Sequence, residues 1–175
     1  MSERVLAGLK PEKVFEYFEN ISAIPRGSGN TEQISSYCAA LAASKGLKYI
    51  KDELGNVVIF KPASKGTESS EPVIIQGHLD MVCEKVHGST HDFKKEGLKL
   101  IVDGDFVHAD GTTLGGDDGI AVAMALALID SDDLRHPPLE VVLTVDEEVG
   151  MDGAVGIDTS VLSGKRMINC LLYTS

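Results

Sequence analysis

Apolar residues recur at helical spacing in two segments near the start of the chain. The first segment begins near Pro11, which suits a first helical turn, and the second begins near Thr31 and ends near Gly46. Their apolar positions are Val14, Phe15, Phe18, Ile21, Ile34, Tyr37, Cys38 and Leu41. A third segment, Ile120 to Ile129, is almost wholly apolar and predicts a buried helix. Between the first two segments the sequence IPRGSGN predicts a loop, because it contains proline and glycine.

Short apolar runs separated by polar connections predict strands. KYIKD and NVVIF flank an ELGN turn, VIIQG and LEVVLTV follow later, and LKLIVDGDFVHAD has the pattern of a hairpin. Strands that alternate with helices indicate an α/β fold. We therefore predict a three-layer α/β/α domain with a mixed central sheet, whose faces are covered by the helices that begin near Pro11, Thr31 and Asp118.

Composition and charge narrow the classes of function. The chain has 175 residues, of which 43% are hydrophobic and 25% charged, as in an ordinary globular domain. Its 27 acidic and 16 basic residues give a net charge of −11, which disfavours nucleic acid as a partner. No apolar run has the length of a membrane span, so we expect no membrane partner.

Cysteine usage bears on the cellular compartment. The three cysteines, Cys38, Cys83 and Cys170, form no CxxC pair and are odd in number. They indicate reduced thiols rather than a disulfide framework. The N-terminal sequence MSERVLAGLKPEKV is polar and lacks the apolar region of a signal peptide. We therefore expect a cytoplasmic protein.

Polar side chains stand where predicted strands end and where a helix begins. His78 and Asp80 follow the strand VIIQG, and Asp117 and Asp118 come directly before the apolar helix. Ligands commonly bind at the carboxyl edge of open α/β sheets, so a metal site is one interpretation. The alternatives are ordinary: two polar loop residues in the first case, and Asp118 as a helix N-cap in the second.

An acidic run, Asp146 to Glu148, follows the strand LEVVLTV. By itself such a run is usually a solvated loop. Together with His78 and the paired aspartates it makes an oxygen-rich set with one imidazole. Such a set suits Zn²⁺, Mn²⁺ or Co²⁺ and is unlike the thiolate ligands of a structural zinc site. A carboxylate can bridge two such ions, which can hold and ionise a water between them. A neighbouring glutamate that is not a ligand could then act as general base.

Three motifs in order carry a resemblance to a known family. They are GHLDMV, GTTLGGDDGIAVAMALALI and LTVDEEVGMDGA, joined in part by the connection CEKVHGSTHDFKKEGLKLIVDGDFVHADG. These motifs resemble the dinuclear zinc metallopeptidases of the carboxypeptidase G and aminoacylase type, and in particular the aminoacyl-histidine dipeptidases, also called β-alanyl-histidine or Xaa-His dipeptidases. The resemblance extends from near the N-terminus to about Asn169.

The resemblance implies a role for each of five residues. His78 is implied as a ligand of the first metal ion, with Asp80 as the carboxylate that orients its ring. Asp117 is implied as the bridging carboxylate, and a cis peptide often follows it in the family. Glu147 is implied as the general base and Glu148 as a ligand of the second ion. The implied cofactor is a pair of divalent ions, zinc first, with manganese or cobalt as alternatives, and the implied substrate is a small dipeptide.

The sequence departs from the family after Asn169. There a family strand of the form INLD supplies an aspartate to the first metal, whereas this chain continues as CLLYTS without a carboxylate. The distal histidine ligand and the lid or dimerisation domain, through which full-length members are expected to form homodimers, are also absent. We therefore predict that residues 1–169 are the N-terminal part of a metallopeptidase catalytic domain, that 170–175 are an atypical tail, and that the chain itself has little or no activity.

A non-catalytic binding or interaction domain that retains the fold is the alternative function. Its acidic residues would then serve only as surface charge. Metal analysis separates the two hypotheses, because an enzyme centre should retain or take up stoichiometric Zn²⁺, Mn²⁺ or Co²⁺.

Overall fold

The structure of the chain is a computed structural model that describes residues 4–171. The predicted tail at 170–175 therefore lies outside the described residues from position 172 onward. The helices are α1 (Glu12–Ser22), α2 (Glu32–Ser44), α3 (Gly116–Ile129) and α4 (Asp152–Gly156), with a 3₁₀ turn at Thr159–Val161. The strands are β1 (Lys48–Lys51), β2 (Val57–Lys61), β3 (Val73–His78), β4 (Leu100–Asp103), β5 (Phe106–Ala109), β6 (Leu139–Thr144) and β7 (Arg166–Asn169).

The central sheet has five strands in the order β1-β2-β6-β3-β7. β2 is antiparallel to β1 and to β6, whereas β3 is parallel to β6 and to β7. The predicted α/β fold with a mixed sheet is therefore confirmed. β4 and β5 form the separate hairpin that the sequence indicates. Because β3 and β6 are parallel neighbours, the residues that follow them emerge at the same edge of the sheet.

The alternation of side chains along the strands decides where the core lies. Val57 and Ile59 of β2 face the main core, which also contains the buried side chains of α1, α2 and α3. Val58 points the opposite way and packs with Ile74 and Val142. The three long helices thus lie on one face of the sheet, so the prediction that they cover both faces is wrong. On the second face, Ile157 and Leu162, which flank the 3₁₀ turn, pack against the sheet.

The helix ends agree closely with the sequence pattern. Pro11 lies one position before the first helical residue of α1, and Gly46, with φ of 66°, follows the end of α2. α3 begins at Gly116, but Asp117 and Asp118 have non-helical backbone angles and are joined by a cis peptide. This bond is at the position that the family resemblance implies. Within residues 4–171, no helix combines the length and the apolar character that a membrane span requires.

Candidate metal centre

The site is built at the carboxyl edge of two parallel strands. His78 is the last residue of β3 and pairs with Thr144, the last residue of β6. The N–H of Leu79 donates to the carbonyl of Thr144 at 2.8 Å, which keeps the two strand ends together beyond the ladder. Both chains then turn away from the sheet, so that Asp80 and the acidic run after β6 come to lie beside His78.

The buried imidazole of His78 uses its two nitrogens in different ways. Nδ1 lies 3.2 Å from the backbone carbonyl of Asp80 and 3.4 Å from its carboxylate. Nε2 lies 3.0 Å from Oδ1 of Asp117 and 3.9 Å from Oε2 of Glu147. A metal-bound histidine commonly has this arrangement, with one nitrogen held by a carboxylate or carbonyl and the other free to bind an ion.

Three residues place ligand atoms within reach of one common ion. Ligand atoms of His78, Asp117 and Glu148 all lie within 4.8 Å of one another, and they are the one such group among residues 4–171. The Asp117 side chain is 63% exposed, so the group opens to solvent on one side. One imidazole and two carboxylates form a donor set that fits Zn²⁺, Mn²⁺ or Co²⁺.

Asp80 is fully buried and joins the end of β3 to the loop after β6. Its Oδ1 accepts from the N–H of Glu147 at 3.0 Å, and its Oδ2 accepts from the N–H of Glu148 at 3.2 Å and from Oγ of Ser28 at 2.7 Å. Burial by itself raises the pKa of Asp80, but the hydrogen bonds from His78, Ser28 and the two backbone groups outweigh it and lower the pKa to about 2. Asp80 is thus an ionised support for the site, and its oxygens face the protein.

The side chains of the site gather negative charge that a cation would stabilise. Burial lowers the pKa of His78, but its contacts with Asp80 and Asp117 outweigh burial and raise the pKa to about 9. Burial raises the pKa of Glu148, and the nearby charge of Asp117 raises it further. A carboxylate whose ionisation is disfavoured by a neighbouring acid is a common setting for a divalent cation.

Asp118 does not cap α3, so that ordinary interpretation is wrong. No side-chain hydrogen bond caps the helix, and Oδ2 of Asp118 accepts instead from the backbone N–H of His78 at 3.2 Å. A Cβ added to Gly77 would lie 2.8 Å from the same oxygen, so the glycine before His78 makes room for this carboxylate. Burial raises the pKa of Asp118 to about 6. Asp118 therefore fastens the start of α3 to β3 behind the ligands.

Sequence reasoning missed the supporting loop between α1 and α2. Arg26 is 2% exposed and binds backbone carbonyls beside the site, Ser28 binds Asp80, and the N–H of Gly29 donates to Asp146 at 2.7 Å. In the sequence, Arg26 stands between a proline and a glycine, outside the periodic patterns of apolar residues and outside any ligand motif. Nothing local to the sequence could therefore have identified its partners.

An open cavity of about 280 Å³ begins beside His78 and Glu147 and continues along the second face of the sheet. Much of its lining is apolar and includes Met151, Ile157 and Leu171. Glu147 therefore faces the ligand group on one side and this space on the other. The arrangement provides room for a small molecule next to a candidate ion and a carboxylate.

Two known proteins are similar to this chain over nearly its whole length. The cytosol non-specific dipeptidase of Escherichia coli strain K12 is 43% identical over 169 residues, which are 97% of this chain. The crystal structure of the aminoacylhistidine dipeptidase from Vibrio alginolyticus superposes with a TM-score of 0.91 at 39% identity, covering 96% of the chain. This chain is a homologue of these dipeptidases. The resemblance stated from the sequence motifs is thus confirmed, although no family model matches the chain.

The chain matches only part of the length of each homologue. It spans 34% of the length of the E. coli protein and 34% of the V. alginolyticus chain. The aminopeptidase PepT from Bacillus cereus has a TM-score of 0.74 but only 21% identity, and it supports the fold alone. The site residues described above all lie within the portion that the chain shares with the two dipeptidases.

Proposed function

We propose that this chain forms part of the catalytic centre of a metal-dependent dipeptidase. The observation that carries the proposal is the convergence of His78, Asp117 and Glu148, whose ligand atoms lie within 4.8 Å of one another. The homology to proteins named as dipeptidases supports peptide hydrolysis as the reaction. The charge distribution supports it as well, because the acids gather at one edge of the sheet around a single imidazole.

His78, Asp117 and Glu148 would hold a divalent ion, with zinc as the first candidate and manganese or cobalt as alternatives. In a centre of two ions, Asp117 would be the shared carboxylate and Glu148 would belong to the second ion. Residues 4–171 offer one group of three ligands, so we expect this chain to bind a first ion more readily than a second. When bound, such ions lower the pKa of a coordinated water and polarise the carbonyl of a peptide bond.

The protein residues around the ion have distinct tasks. Asp80 holds Nδ1 of His78, which fixes the tautomer that leaves Nε2 free to bind metal. Glu147 lies 3.9 Å from Nε2 of His78 and lines the adjoining cavity, so its carboxylate can accept a proton from the attacking water. The same carboxyl group can then donate that proton to the amine released when the peptide bond breaks.

The substrate proposed is a small dipeptide. The cavity beside Glu147 has about 280 Å³ of space with an apolar lining, which suits a short peptide with a side chain of modest size. A preference for Xaa-His dipeptides, such as β-alanyl-histidine, rests on the sequence resemblance and on the name of the V. alginolyticus relative. A cytoplasmic location is proposed on similar grounds, since the E. coli relative is named as a cytosol enzyme.

The test is a metal titration followed by an activity measurement on the purified 175-residue chain. Calorimetry with Zn²⁺, Mn²⁺ and Co²⁺ should show binding that His78→Gln abolishes. Hydrolysis of β-alanyl-histidine with added Zn²⁺ or Mn²⁺ should be slow or absent, and any hydrolysis should disappear in the same variant. A chain that binds none of these metals would contradict the proposal and favour a non-catalytic binding domain.

A further inference from the structure

Arg26 is a buried cation that contacts both segments bearing the candidate ligands. One terminal nitrogen donates to the carbonyls of Leu79 and Asp80 at 3.0 and 3.2 Å, directly after His78 at the end of β3. The other donates to the carbonyl of Gly115 at 2.5 Å, two residues before Asp117. The planar guanidinium therefore spans the two segments whose relative position sets the distance between His78 and Asp117.

The chain leaves space for this guanidinium at the start of α3. A Cβ added to Gly115 or to Gly119 would lie 2.5 Å from the same nitrogen of Arg26. These glycines flank Asp117 and Asp118 in the sequence LGGDDGIA. Burial lowers the pKa of Arg26 to about 10, so the group still carries its charge at neutral pH, facing the carboxylates of Asp80 and Asp118. A buried charge with several directed hydrogen bonds resists displacement, because removing it leaves carbonyls without partners.

We propose that Arg26 is a positioning residue for the candidate centre, which holds the end of β3 and the start of α3 in the relation that brings His78 and Asp117 together. The inference rests on the proposed function, since it assigns Arg26 a role toward the same ligands. Arg26 itself touches neither the ligand atoms nor the cavity beside them, so it acts through the two backbone segments.

Lys61 provides a matched control at the opposite end of α3. Its ammonium group donates to the carbonyls of Leu128 at 2.7 Å and Ile129 at 3.0 Å, and also to that of Ser131. Like Arg26, it is a cation that binds three backbone carbonyls. Lys61→Met should therefore reduce stability without changing the geometry of the ligands.

The experiment compares the parent chain with Arg26→Met, Arg26→Lys and Lys61→Met. Co²⁺ affinity is measured by calorimetry and by the visible absorption of the bound ion, and unfolding by urea shows that each variant is folded. We expect Arg26→Met to lower Co²⁺ affinity by about tenfold or more and to alter the Co²⁺ spectrum, as loss of a supporting contact does at metal sites. Lys61→Met should keep the affinity and the spectrum of the parent.

Arg26→Lys covers the case in which Arg26→Met does not fold. A lysine keeps the buried charge, but a single ammonium nitrogen cannot reach both segments as the guanidinium fork does. The folded Lys variant should therefore still lose Co²⁺ affinity and show an altered spectrum. A folded Arg26 variant with the affinity and spectrum of the parent would overturn the inference.

Amide hydrogen exchange of the metal-free chain separates this inference from the proposed function. In the Arg26 variants, exchange should become faster at residues 78–81 and 115–119 together, whereas Lys61→Met should leave both segments unchanged. If the parent binds no Co²⁺, the proposed function fails, and the exchange result still decides whether Arg26 holds the two segments. Unchanged exchange in both segments would overturn the inference by itself.

Discussion

Nε2 of His78 lies 3.0 Å from Oδ1 of Asp117, although the two residues are 39 positions apart in the chain. The opposite nitrogen of the same ring faces Asp80. The imidazole is therefore held between one acid that is buried within the protein and another that is exposed to solvent. This geometry makes the protonation of His78 the first quantity to measure, since a ring bound to metal must give up a proton.

Metal affinity should rise with pH up to about pH 9. The pKa of His78 in the metal-free chain is about 9, so at pH 7 the ring is mostly protonated and a metal ion must displace the proton. Below that pKa, each unit of pH should raise the apparent Zn²⁺ affinity by about tenfold. Calorimetry in buffers of different ionisation enthalpy should show release of about one proton at pH 7. A pH-independent affinity would contradict this assignment.

The adjacent glutamates should separate into two phenotypes. Glu148→Gln should reduce Zn²⁺ affinity by about tenfold or more, because it removes one of the proposed ligands. Glu147→Gln should keep metal affinity, because only the proposed base is lost, and any hydrolysis of β-alanyl-histidine should fall severely. The two variants control for each other, since they make the same chemical change at neighbouring positions. Strong metal loss in Glu147→Gln would show that the two roles are reversed.

Asp80 should stabilise the metal-free chain in a defined pH window. Its pKa is about 2 in the folded chain, compared with an ordinary value of 3.8. Ionised Asp80 therefore contributes about 2 kcal/mol above about pH 4, and this contribution is lost as the pH falls through 2. Asp80→Asn should lower the free energy of unfolding by about that amount at pH 6, with a smaller difference near pH 2.

Urea unfolding at several pH values measures this difference. Asp105→Asn, in the exposed turn between β4 and β5, is the control and should match the parent chain at every pH. A loss in Asp80→Asn that is the same at pH 6 and near pH 2 would show that packing, and not charge, explains the effect.

Leu171→Asp should strengthen metal binding. Gln76 of β3 pairs with Asn169, the last residue of β7; two residues further on are His78, which ends β3, and Leu171, which follows β7, and both line the same cavity. A carboxylate at this position would add an oxygen ligand beside the existing group. Met167→Asp is the matched control, because Met167 lies within β7 opposite Ile74, further from His78 along β3. Equal gains in Zn²⁺ affinity for both variants would indicate a general charge effect instead of a new ligand.

Local patterns of apolar and polar residues predicted most of the secondary structure. Helical periodicity identified α1 and α2, the apolar run 120–129 identified the body of α3, and short apolar runs identified four strands of the five-stranded sheet, all except β7. These predictions succeeded because each depends only on the spacing of apolar residues within a single helix or strand. Similarly, the positions of His78, Asp117 and the acidic run at the ends of elements were visible, because a change from apolar to polar residues marks an element's end.

The arrangement of these helices and strands could not be predicted from local patterns. The antiparallel insertion of β2 beside β6, and the location of α1, α2 and α3 on one face of the sheet, depend on contacts between distant segments. Asp118 was open to interpretation as a helix cap for the same reason, since its partner is the backbone of His78. Arg26 gave no sign of its position, because its carbonyl partners carry no side-chain identity and come from two separate parts of the chain. Backbone groups are the same at every residue, so only the folded chain shows which of them a buried cation binds.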